Sequence, residues 1–191
     1  QKAIELTPDD PQLHNNLGIT FLEQGRFDEA EASFRQSILI KNDFFEAHNN
    51  LGITFQKQGR FNEAEASYRK SIFLKPEFFD AHNNLGISLQ EQGRSDEAEA
   101  SFRQSIFLKS DNARAYNNLG ILLKKNSKLD EAEASFKQSI LLNRNNTATH
   151  NNLGNLLKDK GDLSEAINCF KAALKIQPNS AETWNNIFFP L

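Results

Sequence analysis

The chain has 191 residues, 38% of them apolar and 25% charged, the balance of an ordinary folded protein. Its formal net charge of −3 carries no basic footprint for nucleic acid or for an anionic membrane. No apolar run approaches the roughly 20 residues that span a bilayer. The single cysteine, Cys169, cannot close an internal disulfide, which favours a reducing, cytoplasmic setting.

In chain order, residues 1–10 read as the end of a helix closing an earlier unit, with Ala3, Ile4, Leu6 and Pro8 at its finish. A period then takes over. Asn-Asn recurs at Asn15-Asn16, Asn49-Asn50, Asn83-Asn84, Asn117-Asn118, Asn151-Asn152 and Asn185-Asn186, always 34 residues apart. Leu-Gly follows the first five, ending at Gly18, Gly52, Gly86, Gly120 and Gly154. Alanine recurs at Ala30, Ala64, Ala98, Ala132 and Ala166, with an aromatic four residues later at Phe34, Tyr68, Phe102, Phe136 and Phe170. The period divides the chain into repeats at 11–44, 45–78, 79–112, 113–146 and 147–180. Residues 181–191 begin a divergent helix or a junction, and Pro190 is expected to break it.

Each repeat reads as two helices, so the fold class is all-α. In helix A of the first repeat, His14, Leu17, Gly18 and Phe21 form one stripe at i, i+3, i+4 and i+7. In helix B, Phe27, Ala30, Phe34, Ser37 and Ile38 form another. Gly18 and Ala30 leave no bulk between the helices, so the backbones can approach closely. Gly25, Gly59, Gly93 and Gly161 mark the turn from A to B. Ser127 stands there in the fourth repeat, and its turn is expected to depart most from its siblings. Pairs such as Glu31–Arg35 and Glu65–Arg69 at i, i+4 read as solvated supports.

The 34-residue period, with its Leu-Gly, alanine and aromatic positions, resembles the tetratricopeptide repeat family over essentially the whole chain. That resemblance implies an α-solenoid: a right-handed superhelix of antiparallel hairpins whose concave surface is lined mainly by A helices. Stacked neighbours then bury what a single hairpin cannot.

On helix A, Gln12, Asn16, Ile19 and Glu23 lie almost opposite the core stripe, and so point into the implied groove. The repeating members are Asn16, Asn50, Asn84, Asn118 and Asn152, with Ile19, Ile53, Ile87 and Ile121; Asn155 replaces isoleucine in the fifth repeat. A carboxamide offers donors and an acceptor that match a peptide backbone. The Asn-Asn-Leu-Gly pattern also resembles the repeats of O-linked N-acetylglucosamine transferase, whose asparagine ladder grips substrate backbone. A second use of these amides is bonding between adjacent A helices. That use is favoured for the first asparagines, Asn15, Asn49, Asn83, Asn117 and Asn151. The lysine and arginine clamp of chaperone-binding relatives is absent, because asparagines stand at its positions.

No catalytic constellation, metal motif or cofactor motif is visible. His14, His48, His82 and His150 share one repeat position with Tyr116 and Trp184, which reads as a large, half-buried ring. Cys169 takes the place of Ser33, Ser67, Ser101 and Ser135 and reads as inert. Leu39, Phe73, Phe107 and Leu141 lie opposite the helix B core stripe. This row is either exposed, and then suited to self-association into a homo-oligomer, or covered by the loop pairs Phe44-Phe45 and Phe78-Phe79. The expected function is a protein-interaction scaffold that binds an extended polypeptide along the asparagine-lined groove. The alternatives are a substrate-presenting arm of a larger glycosyltransferase or sulfotransferase, and self-assembly through the apolar row.

Overall fold

A computed structural model describes residues 9–188. The expected end of a preceding repeat at Ala3, Ile4, Leu6 and Pro8, and the break at Pro190, lie outside the described residues. The described residues form α-helices joined by short turns. In the first repeat these are α1 (Pro11–Glu23) and α2 (Phe27–Ile40). Then follow α3 (Phe45–Lys57), α4 (Phe61–Leu74), α5 (Phe79–Glu91) and α6 (Ser95–Leu108). The remainder are α7 (Ala113–Lys125), α8 (Leu129–Leu142), α9 (Thr147–Lys160), α10 (Leu163–Ile176) and α11 (Ala181–Phe188). The described residues fall into two compact units, one ending at Leu108 and the other beginning at Lys109. In the first, hairpins α1–α2, α3–α4 and α5–α6 stack, each B helix against the next A helix. In the second, α7–α8, α9–α10 and α11 stack in the same way.

Local chemistry sets the helix ends. Asp10 caps α1, its Oδ1 accepting from the Gln12 N–H at 2.8 Å, and Pro11 takes the first helical position, where no amide proton is missed. The A–B turns pass through a left-handed residue, with φ of 73° at Gly25 and 75° at Gly59. Ser127 adopts the same conformation, at φ 60°. Its amide donates to the Lys124 carbonyl at 3.0 Å and the Lys128 amide to that of Leu123 at 2.9 Å, matching the Gly59 and Arg60 bonds at 3.1 and 2.9 Å. The expected departure of this turn is therefore corrected. The hairpin closes as its siblings do, and the serine backbone carries the strain.

Each hairpin closes on a glycine–aromatic pair. A Cβ built on Gly18 would lie 2.6 Å from Cε1 of Phe34, a distance that real side chains do not show, and the other four repeats match it. Phe34, Tyr68, Phe102, Phe136 and Phe170 are fully buried in consequence. A second device joins helix B to the start of helix A. Ser37 Oγ donates to the Pro11 carbonyl at 2.7 Å, and Ser71, Ser105 and Ser139 do the same to Phe45, Phe79 and Ala113 at 2.8 Å.

Repeats are joined by charge as well as by packing. Glu31 meets both Arg35 of its own helix, at 2.8 Å, and Arg60 of the next repeat, at 2.6 Å. Glu65 stands likewise between Arg69 and Arg94. In the second unit Glu133 is shared by Lys137 and Lys160, both at 2.6 Å. These glutamate side chains are only 15–18% exposed, so they staple neighbouring repeats rather than merely decorate a solvated face.

Candidate functional site

Four of the first asparagines, Asn15, Asn49, Asn83 and Asn151, are at most 5% exposed, and Asn117 is half-buried. Of the second set, Asn16 is exposed, Asn50, Asn118 and Asn152 are half-buried, and Asn84 is buried. The two sets are wired together. Asn50 Nδ2 donates to Asn15 Oδ1 at 3.0 Å, Asn84 Nδ2 to Asn49 Oδ1 at 3.0 Å, and Asn152 Nδ2 to Asn117 Oδ1 at 3.1 Å. Within a pair, Asn49 Nδ2 reaches Asn50 Oδ1 and Asn83 Nδ2 reaches Asn84 Oδ1, both at 3.4 Å. In the first unit the amides thus run in one chain, Asn83 to Asn84 to Asn49 to Asn50 to Asn15. At Asn16 the amide oxygen accepts from Gln12 Nε2 at 3.0 Å. Asn151 bonds instead with Thr183 Oγ1 at 2.9 Å.

This wiring shows what Asn50, Asn84 and Asn152 do at home: they tie one repeat to the one before it. It does not exhaust them, since a carboxamide has two protons and two lone pairs. Beside them, Ile19, Ile53 and Ile87 are half-buried, and Ile121 is 37% exposed. On this face of the second unit a pocket of about 360 Å³ opens between α7 and α9, lined by Ile121, Lys124, Lys125, Phe136, Asn152 and Asn155. It brings Asn152 and Ile121, two of the residues singled out by periodicity, to one cavity. It adds Phe136 as an apolar floor and two lysines that the pattern did not mark. Lys124 is paired with Asp159 at 2.8 Å.

The ring position has a defined task. The Nε2 atoms of His48, His82 and His150 lie 3.0, 2.9 and 2.9 Å from the carbonyls of Asn42, Pro76 and Arg144, each six residues earlier. A carbonyl only accepts, so the proton is on Nε2. Trp184 Nε1 makes the same bond to Pro178 at 2.9 Å. Histidine and tryptophan interchange here because both bring a ring N–H to the loop between repeats. Burial, with the Lys70 charge, holds His48 below the ordinary histidine range despite that bond. Burial and the Glu165 carboxylate push the Cys169 thiol up, away from the reactive thiolate. Among the described residues no group of three potential ligands is arranged to hold a metal ion. Nor, among them, is any helix long and apolar enough to cross a membrane.

The apolar row is open. Leu39, Phe73 and Phe107 are 77%, 76% and 82% exposed in the first unit, and Leu141 62% in the second. The loop phenylalanines do not cover it. Phe44 is buried, and Phe45 and Phe78 pack edge to face with their centroids 5.0 Å apart.

Profiles of the tetratricopeptide repeat match residues 45–78, 113–146 and 147–180, and further profiles of the same repeat match 1–32, 20–59 and 80–104. No curated protein sequence matches. The fold is similar to that of PilF from Pseudomonas aeruginosa, at 24% identity and a TM-score of 0.84, covering 92% of this chain and 80% of that one. It is also similar to MamA from Desulfovibrio magneticus RS-1, at 20% identity and a TM-score of 0.75, over 90% and 97% of the two chains. YrrB, a TPR protein with an unusual peptide-binding site, is 20% identical with a TM-score of 0.69, over 96% and 95%. Period, hairpin closure and profile matches agree: this chain belongs to the tetratricopeptide repeat family, whose repeats generally mediate protein–protein interactions.

Proposed function

We propose that this chain is a non-catalytic scaffold that holds an extended polypeptide segment against the face built by its A helices. The observation that carries the reading is the pocket lined by Ile121, Phe136, Asn152 and Asn155, where apolar floor and convergent amides meet. The description of YrrB as a peptide-binding TPR protein supports the same use of the fold.

The amides act here in a particular way. Because Asn50, Asn84 and Asn152 are already fixed by their bonds to the preceding repeat, their remaining polar capacity is held in place before a guest arrives. In the first unit a guest backbone then meets the preset groups of Asn50 and Asn84 while Ile19, Ile53 and Ile87 touch its side chains; in the second, a guest meets Asn152 beside Ile121. Each such contact contributes about 0.5–1.5 kcal/mol net, so affinity accumulates from repeat to repeat within a unit with little sequence selectivity.

The test is a selection from a phage-displayed library of random dodecapeptides, followed by binding measurements on the synthetic winners. Enriched peptides should bind the wild-type chain and lose at least tenfold in affinity to Ile121→Glu, with helicity unchanged. Failure to enrich any peptide, or undiminished binding by Ile121→Glu, would overturn the reading.

A further inference from the structure

The B helices of the first unit present a second surface. Leu39, Phe73 and Phe107 occupy equivalent positions on α2, α4 and α6, each exposed by three quarters or more. One exposed apolar side chain needs no explanation. Three in register across stacked helices make a row. Beside Leu39 a groove of about 530 Å³ runs between α2 and α3, lined by Arg35, Ile38, Leu39, Asn42, His48 and Leu51. The second unit has its counterpart, about 480 Å³ beside Leu141 with Ile140 and Ile176 in its walls. Each unit thus sets an exposed apolar side chain of its B helices beside a groove that can receive a side chain.

Its margins are cationic. Arg35, Arg69 and Arg103 stand one helical turn before the row, and Lys41 and Lys75 just after it. Each arginine is paired with a glutamate of its own helix, Glu31, Glu65 or Glu99, and Arg69 also meets Glu97 at 3.5 Å. The arginines are more than half exposed while Glu31, Glu65 and Glu99 are only 15–17% exposed, and Glu31 and Glu65 also serve Arg60 and Arg94, so the outward face of these pairs is the guanidinium. Lys41, Lys70 and Lys75 lie over the rings of Phe44, Phe73 and Phe45, at 5.4, 5.2 and 4.4 Å. At this end of the B helices the opposing charges are Asp43, Glu77 and Asp111 in the loops that follow.

We propose that this row, Leu39, Phe73 and Phe107 with its arginine and lysine margins, docks an amphipathic helix of a partner protein whose apolar stripe is flanked by carboxylates. Spacing fits a helix: equivalent helices of stacked repeats are on the order of 10 Å apart. Seven residues of α-helix rise about 10.5 Å. A guest helix laid across the repeats thus offers one apolar residue per heptad to each member of the row, and the groove beside Leu39 takes a neighbouring side chain. A second copy of this chain fits poorly, because facing rows would bring like cationic margins together.

The inference is independent of the peptide-binding reading, because it uses other helices and other residues. Its test is fluorescence anisotropy with two synthetic 21-residue helical peptides, identical in their leucine heptads and flanked by glutamate in one and lysine in the other. The glutamate peptide should bind saturably, at least tenfold more tightly than the lysine peptide, and more weakly as salt rises. Phe73→Ser with Phe107→Ser should reduce that binding at least tenfold with unchanged circular dichroism, whereas Ile121→Glu should leave it intact. Equal binding of the two peptides, binding of neither, or undiminished binding by the serine variant would overturn it. So would row-dependent dimers in sedimentation velocity, or row-dependent adsorption to phosphatidylserine vesicles in place of peptide binding.

Discussion

Asn84 donates from Nδ2 to Oδ1 of Asn49 at 3.0 Å, joining two repeats through amides that are 7% and 5% exposed. Removing the donor leaves a buried acceptor without this partner, which costs about 1–3 kcal/mol. Asn84→Ala should therefore lower the thermal midpoint by several degrees. Asn16→Ala, which removes an exposed amide bonded only within its own helix, should change it by less than about 0.5 kcal/mol. Calorimetry on the two variants decides the matter, and equal midpoints would remove the inter-repeat role of the second asparagine.

Glycine and aromatic ring are a matched pair. A Cβ at Gly86 would lie 2.6 Å from Cε1 of Phe102, and the ring has no room to retreat because it is fully buried. Gly86→Ala should destabilise by about 1–3 kcal/mol through overpacking. In the background of Phe102→Leu the same alanine should cost less, so the double-mutant cycle should show coupling of about 0.5 kcal/mol or more. Additive effects would mean that the helices separate freely, contrary to the close approach seen.

Ser127 holds a backbone conformation that costs a residue with a side chain roughly 1–2 kcal/mol. Ser127→Gly relieves this, partly offset by about 0.5–1 kcal/mol from the freer unfolded chain. Urea denaturation should show a gain of up to about 1 kcal/mol. Gly59→Ala, at the equivalent turn of the second repeat, should show a loss of similar size. No Cβ clash contributes there, since nothing lies within 4 Å of the added atom.

Acid should loosen the joints between repeats. Burial raises the Glu65 carboxyl, but hydrogen bonds from Arg94, Gln92 and Arg69 outweigh it and hold the group below the ordinary carboxylate range. Bonds from Lys137 and Lys160 hold Glu133 low in the same way. A folded-state value below the unfolded one means stability that is present above about pH 4.3 and is lost as pH falls through the folded value. Wild-type stability should thus decline below about pH 4.5. Glu65→Gln should be less stable at neutral pH and show a shallower decline, as read from urea midpoints between pH 7 and pH 3. A steeper decline in the variant would contradict the assignment.

The hairpins were legible because their closure is local to one repeat. Gly18 and Phe34 are 16 positions apart, and period together with helix geometry is enough to bring them face to face. The wiring between repeats was less legible. Asn50 and Asn15 meet only once the rotation of one A helix against the next is known, and no spacing within a single helix encodes that. Glu31 read as an i, i+4 partner of Arg35, which it is; its second oxygen turns to Arg60, 29 positions away. Ser127 misled for a different reason. Propensity predicted a distorted turn, and the packing of the two helices overrode it. The openness of Phe73 and Phe107 depended on where Phe44, Phe45 and Phe78 went, and those rings turned toward one another and the core.

The three asparagine–asparagine bonds between repeats point the same way, from a later repeat back to the one before it. The second repeat, whose Asn50 donates backward and whose Asn49 accepts from Asn84, therefore has a plug on one side and a socket on the other. Whenever the coding unit for such a repeat is duplicated or excised in register, both new junctions are already matched. The length of such an array is then free to drift, gaining or losing one notch at a time, without any compensating substitution at the seams.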